Sequence, residues 1–89
     1  MIAKRVIVVG RVQGVWYRSR TAEEAQRLGV KGWVRNNRNG TVEALVEGEE
    51  ETVFKLINWM GVGPSLARVD SIKEHDVDPA GYESFDVSG

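Results

Sequence analysis

The chain has 89 residues, no cysteine, 12 basic and 13 acidic side chains, and a formal net charge of −1. That length predicts one small domain with a single core, and the lack of cysteine excludes disulfides, thiolate metal sites and a phosphocysteine intermediate. The longest apolar run, Val6 to Val9, is far short of a membrane span, and no charged-then-apolar leader is visible, so the expectation is a cytoplasmic protein with no membrane partner.

The small net charge conceals an asymmetry. Residues 1–40 hold nine Lys or Arg against two acids, a balance of +7, and residues 41–89 hold three against eleven, a balance of −8. Such a field around the first half would draw a small dianion, unless the halves interleave in space and cancel it.

A first strand is predicted over about residues 4–12, centred on Arg5-Val6-Ile7-Val8-Val9. The string Gly10-Arg11-Val12-Gln13-Gly14-Val15-Trp16-Tyr17-Arg18 then leads into a helix. Its two glycines permit a tight turn and a close approach of an anion to backbone N–H groups. The following helix points its unpaired N–H groups and positive dipole end at the same loop. Arg18 offers a planar fork suited to phosphate oxygens. The pattern reads as a phosphate cradle, although an ordinary strand-to-helix turn rimmed by an arginine is an equal reading of this fragment alone. It lacks the Gly-Lys-Ser/Thr ending of the nucleotide P-loop.

The helix is predicted from about Arg18 to Leu28, with Ala22, Ala25 and Leu28 inward and Gly29 as its stop. Thr21 and Glu24 match a capping box that would start it later, but the earlier start is preferred, with Glu24 as a surface acid. A second strand covers about residues 31–37. Asn39-Gly40 signals a two-residue hairpin into a third strand over about 41–48, where Val42, Ala44 and Val46 alternate. That turn would set Asn36 opposite Glu43 and Val34 opposite Leu45, placing Asn36 on the face away from Val42, Ala44 and Val46.

A second helix opens around Glu49, Glu50 and Glu51, carries Val53, Phe54, Ile57 and Met60 as its apolar stripe, and ends at Gly61, Gly63 and Pro64. A fourth strand follows over about residues 66–77. Asp78-Pro79-Ala80-Gly81 turns the chain, and a short edge strand between Tyr82 and Val87 uses Phe85 and Val87. The order βαββαβ with an extra strand predicts an α+β, ferredoxin-like sandwich, an antiparallel sheet covered on one face by two helices.

A second string, Gly32-Trp33-Val34-Arg35-Asn36-Asn37-Arg38-Asn39-Gly40-Thr41-Val42-Glu43, joins the first. Together they resemble the acylphosphatase family, whose signatures are G-x-V-Q-G-V-x-[FY]-R and G-x-V-x-N-x-x-[DN]-G-x-V-E. The stretch Gly63 to Val69 also looks like the family's entry into its fourth strand, so the resemblance spans nearly the whole chain. Trp16 stands where phenylalanine is more usual, a departure expected to affect packing only.

The resemblance implies the same fold and the hydrolysis of acyl phosphates to carboxylate and inorganic phosphate, without cofactor or metal. It implies that Arg18 and the backbone of Gln13, Gly14, Val15, Trp16 and Tyr17 bind the phosphoryl group, and that Asn36 positions the attacking water. Read by its neighbours alone, Asn36 is more readily a turn residue beside Asn37 and Asn39. His75, Glu43 and Glu24 are the candidates for a hidden base; His75 reads as a surface residue and Glu43 as an ion-pair or hairpin residue. Arg11 and Arg35 could widen the positive field, and Arg35 is read as solvated.

The expected partners are the small-molecule substrate and inorganic phosphate, with the chain a monomer. The alternative is a non-catalytic phosphate- or nucleic-acid-binding module of the same fold. RNA-recognition domains place stacking aromatics on their central strands, whereas strand three here reads Thr41-Val42-Glu43-Ala44-Leu45-Val46-Glu47, so no nucleic-acid partner is expected.

Overall fold

The computed structural model of the chain describes residues 1–88. Its elements run β1 (Ile2–Arg11), α1 (Tyr17–Leu28), β2 (Lys31–Asn36), β3 (Val42–Gly48), α2 (Glu50–Val62), β4 (Arg68–Val77) and β5 (Phe85–Ser88). The sheet order is β4-β1-β3-β2-β5. The pairings of β1 with β3, β1 with β4 and β2 with β3 are antiparallel, as expected of the ferredoxin-like arrangement. β5 departs from that expectation, because it joins the edge of β2 in parallel.

Period-two burial on the strands and period-3.6 burial on the helices meet in one core. The sheet contributes Val6, Val8, Val34, Val42, Ala44 and Val46, and the helices contribute Ala22, Ala25, Val53, Leu56, Ile57 and Met60, all buried. Leu56 takes the inward position assigned above to Phe54, which is exposed and lies beneath the Lys4 ammonium at 5.5 Å. Gly61 does not end α2. The helix continues to Val62, and Gly63, at φ 73°, closes it by donating to the Trp59 carbonyl.

The β2–β3 hairpin differs from expectation in one decisive respect. Asn37 donates to Thr41 across a loop of Arg38, Asn39 and Gly40, and Gly40 donates back to Asn37 with φ 88°. This is a three-residue connection, a turn followed by a left-handed glycine, and not the two-residue turn that Asn39-Gly40 suggests. The Asn39 side chain makes the difference, accepting from both the N–H and the hydroxyl of Thr41. One added residue shifts the register by one, so Asn36 pairs with Val42, Arg35 with Glu43 and Val34 with Ala44. A one-residue shift exchanges the faces of every side chain. Asn36 therefore lies on the helix-covered face with Val42, Ala44 and Val46.

Gly10 and Gly32, which open the two motifs, are places where backbones touch. A Cβ on Gly10 would stand 2.0 Å from the Arg68 carbonyl oxygen, and one on Gly32 would stand 1.8 Å from that of Leu45. At Gly10 the β1–β4 register shifts, a bulge that twists the end of β1 into the following loop.

The basic and acidic halves of the chain interleave. Lys4 pairs with Glu74 and Asp76, and both Arg5 and Arg35 pair with Glu43. Much of the predicted charge asymmetry is thereby neutralised locally.

β4 and β5 lie at opposite edges, so the segment between them must pass three strands. Buried Glu47, on central β3, pins it midway by accepting the N–H groups of Ala80 at 2.6 Å, Gly81 at 3.0 Å and Tyr82 at 3.1 Å. Such charge-assisted bonds are stronger than neutral ones, and each N–H would be costly to leave unpaired in a buried site. Glu47→Gln is expected to lower unfolding free energy by about 1–3 kcal/mol in urea titrations, with turnover per folded molecule unchanged.

Candidate active site

β1 delivers the chain into the loop 12–16, and α1 carries it away. Gly14 has φ 73°, and Trp16, the helix N-cap, has φ 65° and ψ 14°, the only left-handed non-glycine conformation among the described residues. For a bulky side chain this conformation costs roughly 1–2 kcal/mol, and strain of that kind gathers at functional sites. Alternating left-handed positions curl a backbone into a concavity of N–H groups suited to an anion.

The start of α1 is arranged against the usual preference of a helix dipole. Its first turn contains Arg18 and Arg20 and no acid, and its cap makes no side-chain hydrogen bond to the helix. The first N–H groups of a helix have no intrahelical acceptor. Unpaired donors beside Arg18, with no carboxylate in the turn, describe a place that favours a bound anion, whereas Arg20 pairs with Glu23 at 3.3 Å.

Two tethers hold this loop. The Gln13 amide donates to the carbonyls of Asn37 at 2.8 Å and Thr41 at 3.0 Å, tying the loop to the β2–β3 hairpin. The Tyr17 hydroxyl donates to the Met60 carbonyl at 2.7 Å, and its buried ring packs near Trp59, tying α1 to the end of α2. Between these tethers, Arg18 reaches toward β5, its Nη1 lying 3.4 Å from the Ser88 carbonyl oxygen.

A cavity of about 330 Å³ opens here, lined by Gly14, Trp16, Tyr17, Arg18 and Asn36 from the residues singled out in the sequence. Val12, Ser19 and Val87 complete its wall. Gln13 and Val15 are not in the lining, since Gln13 turns to the hairpin and Val15 is buried. Ser19 could have been anticipated from its place in the first helical turn. Val87 could not, because only the parallel pairing of β5 with β2 brings it near.

Asn36 has its Oδ1 buried without a hydrogen-bond partner. A buried amide oxygen left unsatisfied by the protein is costly, and such atoms call for a specific explanation. An amide can accept one hydrogen bond and donate another without taking a proton, so this group can orient water beside an anion.

The candidate bases lie elsewhere. Glu43 faces the opposite side of the sheet from Asn36, held by Arg35 at 3.0 Å, Asn37 at 3.2 Å and Arg5 at 3.6 Å. Glu24 is occupied by Arg27, which holds its carboxyl below the usual range, and His75 is exposed on β4. Arg35, read above as solvated, instead pairs with Glu43 and stacks over Trp33 at 4.8 Å. Trp16 does not serve packing either, being 73% exposed at the mouth of the cavity.

The acylphosphatase family model matches residues 4–87. An acylphosphatase of Anaeromyxobacter dehalogenans is 54% identical over 80 residues, covering 90% of this chain and 86% of the relative. One from Nitrosococcus oceani is 47% identical over 83 residues and covers 93% of each chain. The crystal structure of acylphosphatase from Bacillus subtilis superposes with a TM-score of 0.97 over 100% of both chains at 32% identity.

Burial raises the Tyr17 phenol above its ordinary value near 10. The neutral phenol is favoured in the fold, so this contribution is complete below about pH 10 and is lost as pH rises toward the raised folded value. Alkaline denaturation of the wild type should therefore steepen above about pH 10 by up to ~1.4 kcal/mol per pH unit, a slope that Tyr17→Phe removes. Urea titrations of both proteins from pH 8 to 11 measure it.

Proposed function

The chain belongs to the acylphosphatase family and hydrolyses acyl phosphates to carboxylate and inorganic phosphate; from that premise we propose how its residues divide the work. Arg18 and the N–H groups of the loop residues that line the cavity, Gly14, Trp16 and Tyr17, hold the phosphoryl oxygens. Asn36 holds the attacking water through its Oδ1. The observation that carries this reading is that buried, unpartnered oxygen in the wall of the same cavity as Arg18.

Water attacks phosphorus in line with the acyl oxygen, the P–O bond to that oxygen breaks, and the carboxylate departs with the bonding pair. The water proton passes to a phosphoryl oxygen. A carboxylate whose conjugate acid has a pKa of about 4–5 leaves without protonation, so the reaction needs no general acid. Positioning and stabilisation of charge on the equatorial oxygens supply the catalysis, which suits an arginine fork and a strained loop. No group of three or more His, Asp or Glu side chains that could hold a metal occurs among the described residues. The proposed site relies on Arg18 for its positive charge, and full turnover in the presence of EDTA is its signature.

No helix among the described residues is long and apolar enough to cross a membrane. We further read the chain as a cytoplasmic monomer that acts on small molecules and not on nucleic acid.

Two substitutions test the assignment. Asn36→Ala should lower kcat about 10²–10³-fold while inorganic phosphate inhibits as well as before, because the water and not the phosphate has lost its partner. Asn36→Asp should be at least as damaging near neutral pH, since it sets an anion against the substrate. Normal kcat with a lowered melting temperature would return Asn36 to a turn-forming role.

Arg18→Ala should cost about 10²–10³-fold or more in kcat/KM and weaken phosphate inhibition, and Arg18→Lys should recover little of either. Near-normal turnover in Arg18→Lys would show that position 18 supplies only generic charge. Benzoyl phosphate hydrolysis with phosphate as competitive inhibitor serves both measurements.

A further inference from the structure

A second cavity of about 320 Å³ adjoins the first, and Trp16 and Ser19 line both. Its far wall includes Pro64 and Leu66 from the connection between α2 and β4, and Arg20 and Glu23 of α1 are also in its lining. Leu66 is 65% exposed, and the Trp16 ring stands out between the two hollows. Large apolar side chains gathered beside a reactive centre signal a surface for an apolar ligand.

In-line displacement places the attacking and leaving oxygens on opposite sides of phosphorus. Asn36, which borders the first cavity, has no part in the second. An acyl group leaving on the side away from Asn36 has this adjoining groove, which Asn36 does not border, open to it. The charges nearby cancel, since Arg20 Nε pairs with Glu23 at 3.3 Å, so nothing there recruits a charged acyl chain. The left-handed backbone at Trp16 keeps the indole at the boundary and out of the core.

Resting on the acyl phosphate reading, we propose that the groove between Trp16 and Leu66 is the acyl subsite, and that it favours a flat apolar acyl group stacked on the indole. A benzoyl group covers that face, whereas an acetyl methyl does not, and the two carboxylates leave with similar ease. Preference between them reports the groove and not the chemical step.

The test compares kcat/KM for benzoyl and acetyl phosphate. The wild type should favour benzoyl by about tenfold, mainly through KM. Leu66→Ser should reduce that ratio by about threefold while acetyl phosphate turnover and phosphate inhibition stay as they were. Trp16→Asn, which tolerates the left-handed backbone, should bring the ratio near one whatever it does to absolute rates, and Trp16→Phe should retain most of it. A wild-type ratio near one with brisk turnover, or equal losses for both substrates in Trp16→Asn and Leu66→Ser, would overturn the subsite. Folded wild-type protein that hydrolyses neither compound would overturn the hydrolase reading itself.

Discussion

The register of the β2–β3 hairpin is the constraint on which the candidate site depends. Side chains alternate strictly across a sheet, so the parity of the loop at residues 38–40 decides which face receives Asn36. With three loop residues, Asn36 pairs with Val42 and enters the cavity beside Arg18, while Arg35 and Glu43 go to the far side. With two, Asn36 would pair with Glu43 on the far side of the sheet, and its amide would not reach the cavity. Asn39 sets the parity by accepting from Thr41, and Asn37 braces the hairpin through Thr41 and Glu43. The turn-forming and chemical readings of these asparagines are complementary, because the turn made by Asn37 and Asn39 is what presents Asn36.

The loop after β1 is held at both ends because an anion site must be preorganised to be useful. Gln13 fastens one end to the hairpin, so the distance from loop to Asn36 is set by two short hydrogen bonds. Tyr17 fastens the other end to the last turn of α2, far away in sequence. The strained backbone at Trp16 persists between these anchors, since relaxing it would require releasing one of them. The motif residues with the least chemical character, Gln13 and Tyr17, thus do most to fix the position of Arg18.

The sheet keeps the acids of β3 away from the cavity. On the face away from the cavity, Glu43 gathers Arg5 and Arg35, and Glu47 gathers three backbone N–H groups, so the acids of β3 are satisfied where they cannot repel an incoming phosphate. On the helix-covered face, the first turn of α1 brings Arg18 to the cavity with no carboxylate in that turn. A modest net charge is therefore compatible with a locally positive site, since the acids of β3 are held on the far face and the first turn of α1 carries none.

Local signals determined much of this protein. The element order, the start of α1 at the motif, Gly29 as its stop, the outward position of His75 and the ion-paired role of Glu43 were all legible, because each rests on periodicity, backbone permissiveness or near neighbours. The two motifs together were specific enough to point to the family, and Arg18 and Asn36, one from each, line the same cavity. Tertiary structure decided the rest. Asn39-Gly40 reads as a two-residue turn until the Asn39 side chain is seen to accept from Thr41, and the face of Asn36 follows from that. Phe54 and Leu56 are both apolar and only helix packing against the sheet tells them apart. Arg35 looks solvated in sequence and is paired in space, and Trp16 looks like packing and is exposed. Val87 reaches the cavity only through the parallel pairing of β5 with β2, a long-range contact for which no local pattern carries information.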